Sequence, residues 1–184
     1  MRIFFIIFFI IYPYYLNSKV INLKYEIDWK SIHLADLFWK IKIEDNLYEI
    51  DFTIKSYGVT DKIYGYESIT KVTGEIKDDS FNPITYKSKT KSSKQDRFEN
   101  IIFNKNGTIS NIEISKELSS DQINLQNTLI KDYQFFTDPI SQLVQYFIFQ
   151  TDSKRLIIDG INIYELSSTT KNIENLKSNN PSIY

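Results

Sequence analysis

Asp138-Pro139-Ile140-Ser141-Gln142-Leu143-Val144-Gln145-Tyr146-Phe147-Ile148-Phe149 is the stretch whose reading decides the fold. Ile140, Leu143, Val144, Phe147 and Ile148 recur at i, i+3, i+4, i+7 and i+8, the spacing that places them on one face of an α-helix. Asp138 can cap the first free N–H groups, and Pro139 takes the first helical position, where a missing N–H costs nothing. Almost everything on either side alternates with period two. The pattern predicts a mainly β fold: an antiparallel, strongly curved sheet or partly open barrel wrapped around one amphipathic helix.

The clearest alternation lies near the N-terminus. Ile21, Leu23, Tyr25, Ile27 and Trp29 interleave with Asn22, Lys24, Glu26 and Asp28, giving a strand with one apolar and one wet face. Leu37, Trp39, Ile41 and Ile43 repeat the pattern against Lys40, Lys42 and Glu44. After Asp45-Asn46, Tyr48, Ile50, Phe52 and Ile54 alternate with Glu49, Asp51, Thr53 and Lys55. Short links make these an antiparallel meander, and a slip of one residue would turn every aromatic ring to water.

Tyr57-Gly58 closes the meander, and residues 59–66 read as a helical turn or an irregular crossing. A strand resumes at 68–76, with turns at Asp78-Asp79 and Asn82-Pro83. Ile84, Tyr86, Ser88, Thr90 and Ser92 then share one face, opposite Thr85, Lys87, Lys89 and Lys91. Asn106-Gly107 predicts a hairpin, and the parity change between Ile109 and Ile112 predicts a bulge near Asn111. Residues 119–128 read as a polar loop. Beyond the helix, Asp159-Gly160 predicts another hairpin.

The 184 residues divide into a targeting segment over 1–18, a signal peptide or an N-terminal anchor, and a single β-rich domain over 19–184. Met1-Arg2 followed by the apolar run 3–11 has the layout of a secretory signal, and Pro13 interrupts the run well short of the roughly 20 residues a membrane span needs. The expected location is the periplasm or cell envelope. Residues 177–182 read as a loop between two strands, so the chain either ends in a disordered tail or is a fragment lacking a final strand.

Thirteen Tyr and thirteen Phe favour strands. A net charge of −1 supplies no global field to steer the chain to nucleic acid. The absence of cysteine excludes disulfides, thiolate metal sites and a Cys nucleophile, and a lone histidine excludes the common multi-histidine metal sites. No metal and no cofactor is expected.

Several features together resemble a family of bacterial exported proteins catalogued as domain of unknown function 3108. They are the stretch from Tyr25 to Trp29 with Ile32 and Ala35, and Tyr57-Gly58 closing the third strand. Pro83 with Tyr86, Asp138-Pro139-Ile140-Ser141, and Asp159-Gly160 before Tyr164 follow in order. The resemblance runs from about Val20 to the end. It implies an antiparallel sheet curved around a helix, not unlike the half-barrel of periplasmic lipoprotein carriers, with further strand beyond Tyr184. It implies no activity and no catalytic residues.

Three groups of residues invite a functional reading. Trp29, Trp39, Phe52, Tyr86 and Phe147, with Ser88 and Thr90 beside them, would line an apolar cavity between sheet and helix if the sheet curves enough to leave one. Otherwise they fill a core, although Ser88, Thr90 and Ser92 are small where a core would want bulk. Lys87, Lys89, Lys91, Lys94 and Arg97 form a basic row that would meet anionic headgroups at a membrane surface, or else is a solvated strand face or an edge guard. His33 with Asp36 and Asp28 could act as a base, but no nucleophile elbow or phosphate loop accompanies them. The expectation is a non-enzymatic exported envelope protein binding an apolar ligand, a lipid or a lipoprotein partner. The alternative is a structural module that pairs with a protein partner through an exposed strand. Oligomeric state does not follow from these patterns.

Overall fold

The computed structural model describes residues 18–94, 96–115, 118–133, 135–149, 155–160 and 162–166. The signal-like segment up to residue 17 and the terminal residues 167–184 lie outside the described residues. Seven antiparallel strands follow one another in chain order across a single sheet. They are β1 (Ser18–Trp29), β2 (Ile32–Glu44), β3 (Leu47–Ser56), β4 (Glu67–Lys77), β5 (Ser80–Lys91), β6 (Asp96–Phe103) and β7 (Ile109–Ile114). A second sheet holds β8 (Phe136–Thr137), β9 (Arg155–Ile158) and β10 (Ile163–Leu166), with β8 and β9 parallel and β9 and β10 antiparallel. Three helices join them: α1 (Gly58–Tyr64), α2 (Ser120–Asp132) and α3 (Pro139–Phe149).

The first three strands form in the register their alternation dictates. Leu23 lies opposite Trp39, which lies opposite Phe52, and Ile41 lies opposite Ile50. Lys30 and Ser31 have φ of 47° and 65°, and Asp78 and Asp79 have 51° and 54°. Positive φ at both central residues of a two-residue turn matches the right-handed twist of the flanking strands. The Asn106-Gly107 turn and the bulge expected near Asn111 both form, with one extra residue, Ser110, on β7.

The sheet is open and not strongly curled, which corrects the expected strong curvature and partial barrel. The reason lies in the partners. β1 and β7 are separate edges, and α3 covers one end of the inner face instead of filling a lumen. Trp39, Ile41, Tyr48, Ile50, Val72, Phe81, Tyr86, Ile101 and Phe103 from the large sheet meet Phe136, Ile140, Val144 and Ile158 from the covering layer. Two further expectations change. Residues 120–128 belong to α2, and Ser119 before them forms a capping box with Gln122, a signature the polar composition hid. Asn82-Pro83 is no turn: it lies inside β5, where Ile84 is an extra residue that points outward and shifts the parity.

Helix α3 forms where predicted but presents a different face. Ile140, Ser141, Gln142, Val144 and Gln145 are buried, whereas Phe147 is 63% exposed and Ile148 39%. The rotation follows from hydrogen bonds. β6 pairs with β5 only from Thr85 onward, so the first residues of β5 run past its end. Gln145 Oε1 accepts the Phe81 N–H at 3.1 Å, and Arg155 donates to the Phe81 carbonyl at 3.4 Å. A backbone donor left unmade in the interior costs about 1–3 kcal/mol, comparable to what burying one more apolar side chain would return.

Gly74 sets the depth of this packing. A Cβ there would sit 2.3 Å from the Asn82 carbonyl oxygen and 2.4 Å from the Tyr48 ring. The bare backbone lets Tyr48 lie across β4 and share a hydrogen bond with Ser141 of α3 at 2.7 Å, while its ring meets Phe81 edge-on at 4.7 Å. Gly74→Ala is expected to lower unfolding free energy by about 1–3 kcal/mol in urea titration. A loss near zero would show that Tyr48 does not occupy that path.

Asp138 caps α3 from a fully buried position. Its Oδ1 accepts the N–H groups of Ile140 and Ser141, both at 2.9 Å, and Oδ2 has no partner among the described residues. Burial pushes its pKa up from 3.8 to about 6 against these hydrogen bonds. The folded state therefore holds the proton more tightly than the unfolded chain. Its stabilising effect is complete below pH 4 and is lost as pH rises through 6, a change of about 3 kcal/mol. Asp138→Asn keeps the cap and cannot ionise. Denaturation at pH 4 and pH 7 is expected to show wild type losing about 2 kcal/mol more than the variant over that interval.

Candidate functional site

Away from α3 the inner face is lined by small residues. Ala35 lies opposite Ser56, Ser68 opposite Thr90, and Thr70 opposite Ser88. Here a groove of about 580 Å³ opens at the end of the sheet. Ile27, Ala35, Ile54 and Ser56 form its floor, Tyr64 and Tyr66 one wall, and Ser92, Ser93 and Lys94 the rim. Leu34 reaches it because it is the extra residue of a bulge in β2, with Ile27 opposite Ala35 and Asp28 opposite His33.

The walls are tied by local hydrogen bonds. Ser56 Oγ donates to Asp61 of α1 at 2.9 Å and accepts the Tyr66 N–H at 2.9 Å. Gly65 ends α1 in the left-handed region at φ 52°, its N–H bonded to the Asp61 carbonyl at 2.7 Å. Ser93 N–H donates to the Tyr64 carbonyl at 2.8 Å, anchoring the rim to the helix, and Lys94 Nζ stands 6.0 Å from the Tyr64 ring.

The residues singled out from sequence are dispersed. Trp39 and Phe52 pack together with ring centroids 4.3 Å apart, and Tyr86 is buried in the core, where desolvation pushes its hydroxyl pKa up. Ser88 pairs with Thr70 at 3.1 Å and Thr90 with Ser68 at 2.9 Å, so hydroxyl ladders fill the places where bulk was expected. Trp29 is 59% exposed at the end of β1, and Phe147 faces outward from α3. None of the seven lines the groove, which missed notice because its floor depends on residues as plain as Ala35 and Ser56.

Lys87, Lys89 and Lys91 stand on the outer face of β5, exposed, in the middle of the sheet and so not at an edge. Arg97 departs from this row. It lies on the inner face opposite Thr90, pairs with the buried Glu99 and donates to the Asp159 carbonyl at 3.5 Å. Burial pushes the Glu99 carboxyl upward, and the Arg97 guanidinium pulls it back.

His33 Nδ1 lies 2.9 Å from Asp28 and Nε2 3.4 Å from Asp36, on the outer face of β1 and β2. The Asp28 hydrogen bond raises the His33 pKa against desolvation. Glu26, Asp28 and His33 have ligand atoms within 4.8 Å of one another. The acids are exposed and already engaged with His33 or Lys24, which accounts for the cluster as surface ion pairing.

No curated protein and no solved structure matches the chain. The family model described as "Protein of unknown function (DUF3108)" matches residues 24–136, more than half of the 184. The match runs from β1 to the start of β8 and includes every residue lining the groove. Asp138 to Ser141 and Asp159-Gly160, which share in the resemblance read from sequence, lie beyond it. The chain belongs to the DUF3108 family of proteins of unknown function.

Proposed function

We propose that this protein is a non-enzymatic binding module of the cell envelope that holds an acyl chain, free or attached to a partner, in the groove at the end of its sheet. One observation carries the reading: about 580 Å³ of open space over Ile27, Ala35, Ile54 and Tyr66, within the size range of small-molecule sites. A floor of apolar atoms suits a methylene chain, each buried CH₂ contributing about 0.8 kcal/mol. Hydroxyls of Ser92 and Ser93 and the Lys94 ammonium at the rim suit an anionic head.

The signal-like start of the chain supports export. Among the described residues no helix is long and apolar enough to cross a membrane. The exposed row of Lys87, Lys89 and Lys91 would bring such a module to anionic headgroups, at about 1 kcal/mol per lysine. His33, Asp28 and Asp36 lie on the opposite face of the sheet from the groove, so this reading assigns them no chemistry.

The test is displacement of a fluorescent fatty-acid analogue from the full chain. Binding is expected in wild type and at least about tenfold weaker in Ala35→Phe, which fills the floor, with the thermal midpoint little changed. Lys94→Glu is expected to weaken the carboxylate probe more than the corresponding fatty alcohol. Equal affinity of wild type and Ala35→Phe would overturn the assignment.

A further inference from the structure

The edge strand β1 is long, regular and, among the described residues, uncovered. All twelve of its residues are exposed except the half-buried Ile21, and β2 is its only strand neighbour among the described residues. The bulge between these strands places its extra residue on β2, so β1 keeps an unbroken period of two. Leu23, Tyr25, Ile27 and Trp29 are exposed by 39%, 52%, 40% and 59% on the face that elsewhere forms the core. The other edge differs: β7 has six residues and carries a bulge, two devices that blunt an edge.

We propose that β1 pairs with β1 of a second copy of this chain, antiparallel about a two-fold axis at Tyr25, joining two sheets into one. The observation behind it is a self-complementary charge pattern. In an antiparallel pair the facing residues have a constant sum of numbers, and that sum must be even to keep apolar side chains on one face. Centring on Lys24 sets that ammonium against its own copy, and centring on Glu26 does the same for a carboxylate. Centring on Ile27 sets Glu26 against Asp28 twice. Centring on Tyr25 sets Lys24 against Glu26 of the second copy, twice by symmetry, with no like charges facing.

The same register covers what β1 leaves bare. Leu23 meets Ile27, Ile21 meets Trp29, and the two Tyr25 rings meet at the axis. An overlap from Ile21 to Trp29 forms about eight to ten backbone hydrogen bonds, and isologous pairing closes without propagating. Within one chain Lys24 Nζ already lies 2.9 Å from Glu26 and 3.3 Å from Asp36. Dimerisation therefore sets two ready-made ion pairs side by side with alternating sign. Of the residues that meet across the axis only Ile27 also lines the groove, and the pairing needs no ligand there.

Sedimentation velocity of the full chain tests it. Wild type is expected to be dimeric at micromolar concentration. Lys24→Glu alone and Glu26→Lys alone each replace both attractions by repulsions, and each is expected to weaken association at least about tenfold. Mixing the two single variants restores opposite charges at both contacts and is expected to give a heterodimer. The double variant Lys24→Glu/Glu26→Lys is expected to dimerise again. Both sites are exposed, and heterodimer formation on mixing itself reports that each single variant is folded. A wild type that stays monomeric would overturn the proposal and point to another segment of the chain, or a different protein, as the strand that covers this edge. Single variants that dimerise as well as wild type would overturn it too.

Discussion

The contact on which the rest of the architecture depends is the Tyr48 side chain lying over the bare backbone of Gly74. It brings a hydroxyl to Ser141 of α3 and a ring edge to Phe81 of β5, so one residue holds three elements in place. The buried Asp138 cap and the Gln145 bond to the end of β5 add two more polar links to the same helix. An amphipathic helix held by hydrophobicity alone could rotate on a sheet at small cost. These bonds remove that freedom, because each leaves a buried donor or acceptor unmet if the helix turns.

Once α3 is fixed at one end, the inner face divides in two. Large side chains occupy the end beneath the helix, and hydroxyl pairs and small residues occupy the rest. Ser68 with Thr90 and Thr70 with Ser88 satisfy one another across the strands, so the polar atoms need neither water nor a ligand. The groove beyond them exists because Ala35 and Ser56 are too small to fill the space beside α1, even though the Ser56 hydroxyl bonds to Asp61. Packing at one end and concavity at the other are two results of the same distribution of side-chain volume.

Much of the sheet was legible in the residues. Alternation from Ile21 to Ile54 predicts three antiparallel strands and their inward faces, because a half-buried strand writes its inward face directly into every second residue; the bulge at Leu34 left no such mark. Asn106-Gly107 and Asp159-Gly160 announce their turns for a similar local reason: positive φ is tolerated by few residues. The start of α2 was legible too, in Ser119 and Gln122, but its polar surface resembles a loop when judged by composition. Of the candidate site, Ile27, Ile54 and Ser92 carry a signal as inward-facing residues. Ser92 stands out only by its small size on an inward face, and Ala35 and Ser56 carry no signal, since a small residue reads alike whether it is packed over or left open.

Sequence by itself determined most of the strands and their faces, the Gly-containing turns and the position of α3, since each follows from interactions among near neighbours in the chain. Only the tertiary structure decided which side of α3 is buried, that the sheet stays open, and where the inner face is left uncovered. Those outcomes rest on contacts between residues tens of positions apart, such as Tyr48 with Ser141 and Phe81 with Gln145. No local periodicity encodes such pairs, because each partner's pattern is equally compatible with other neighbours.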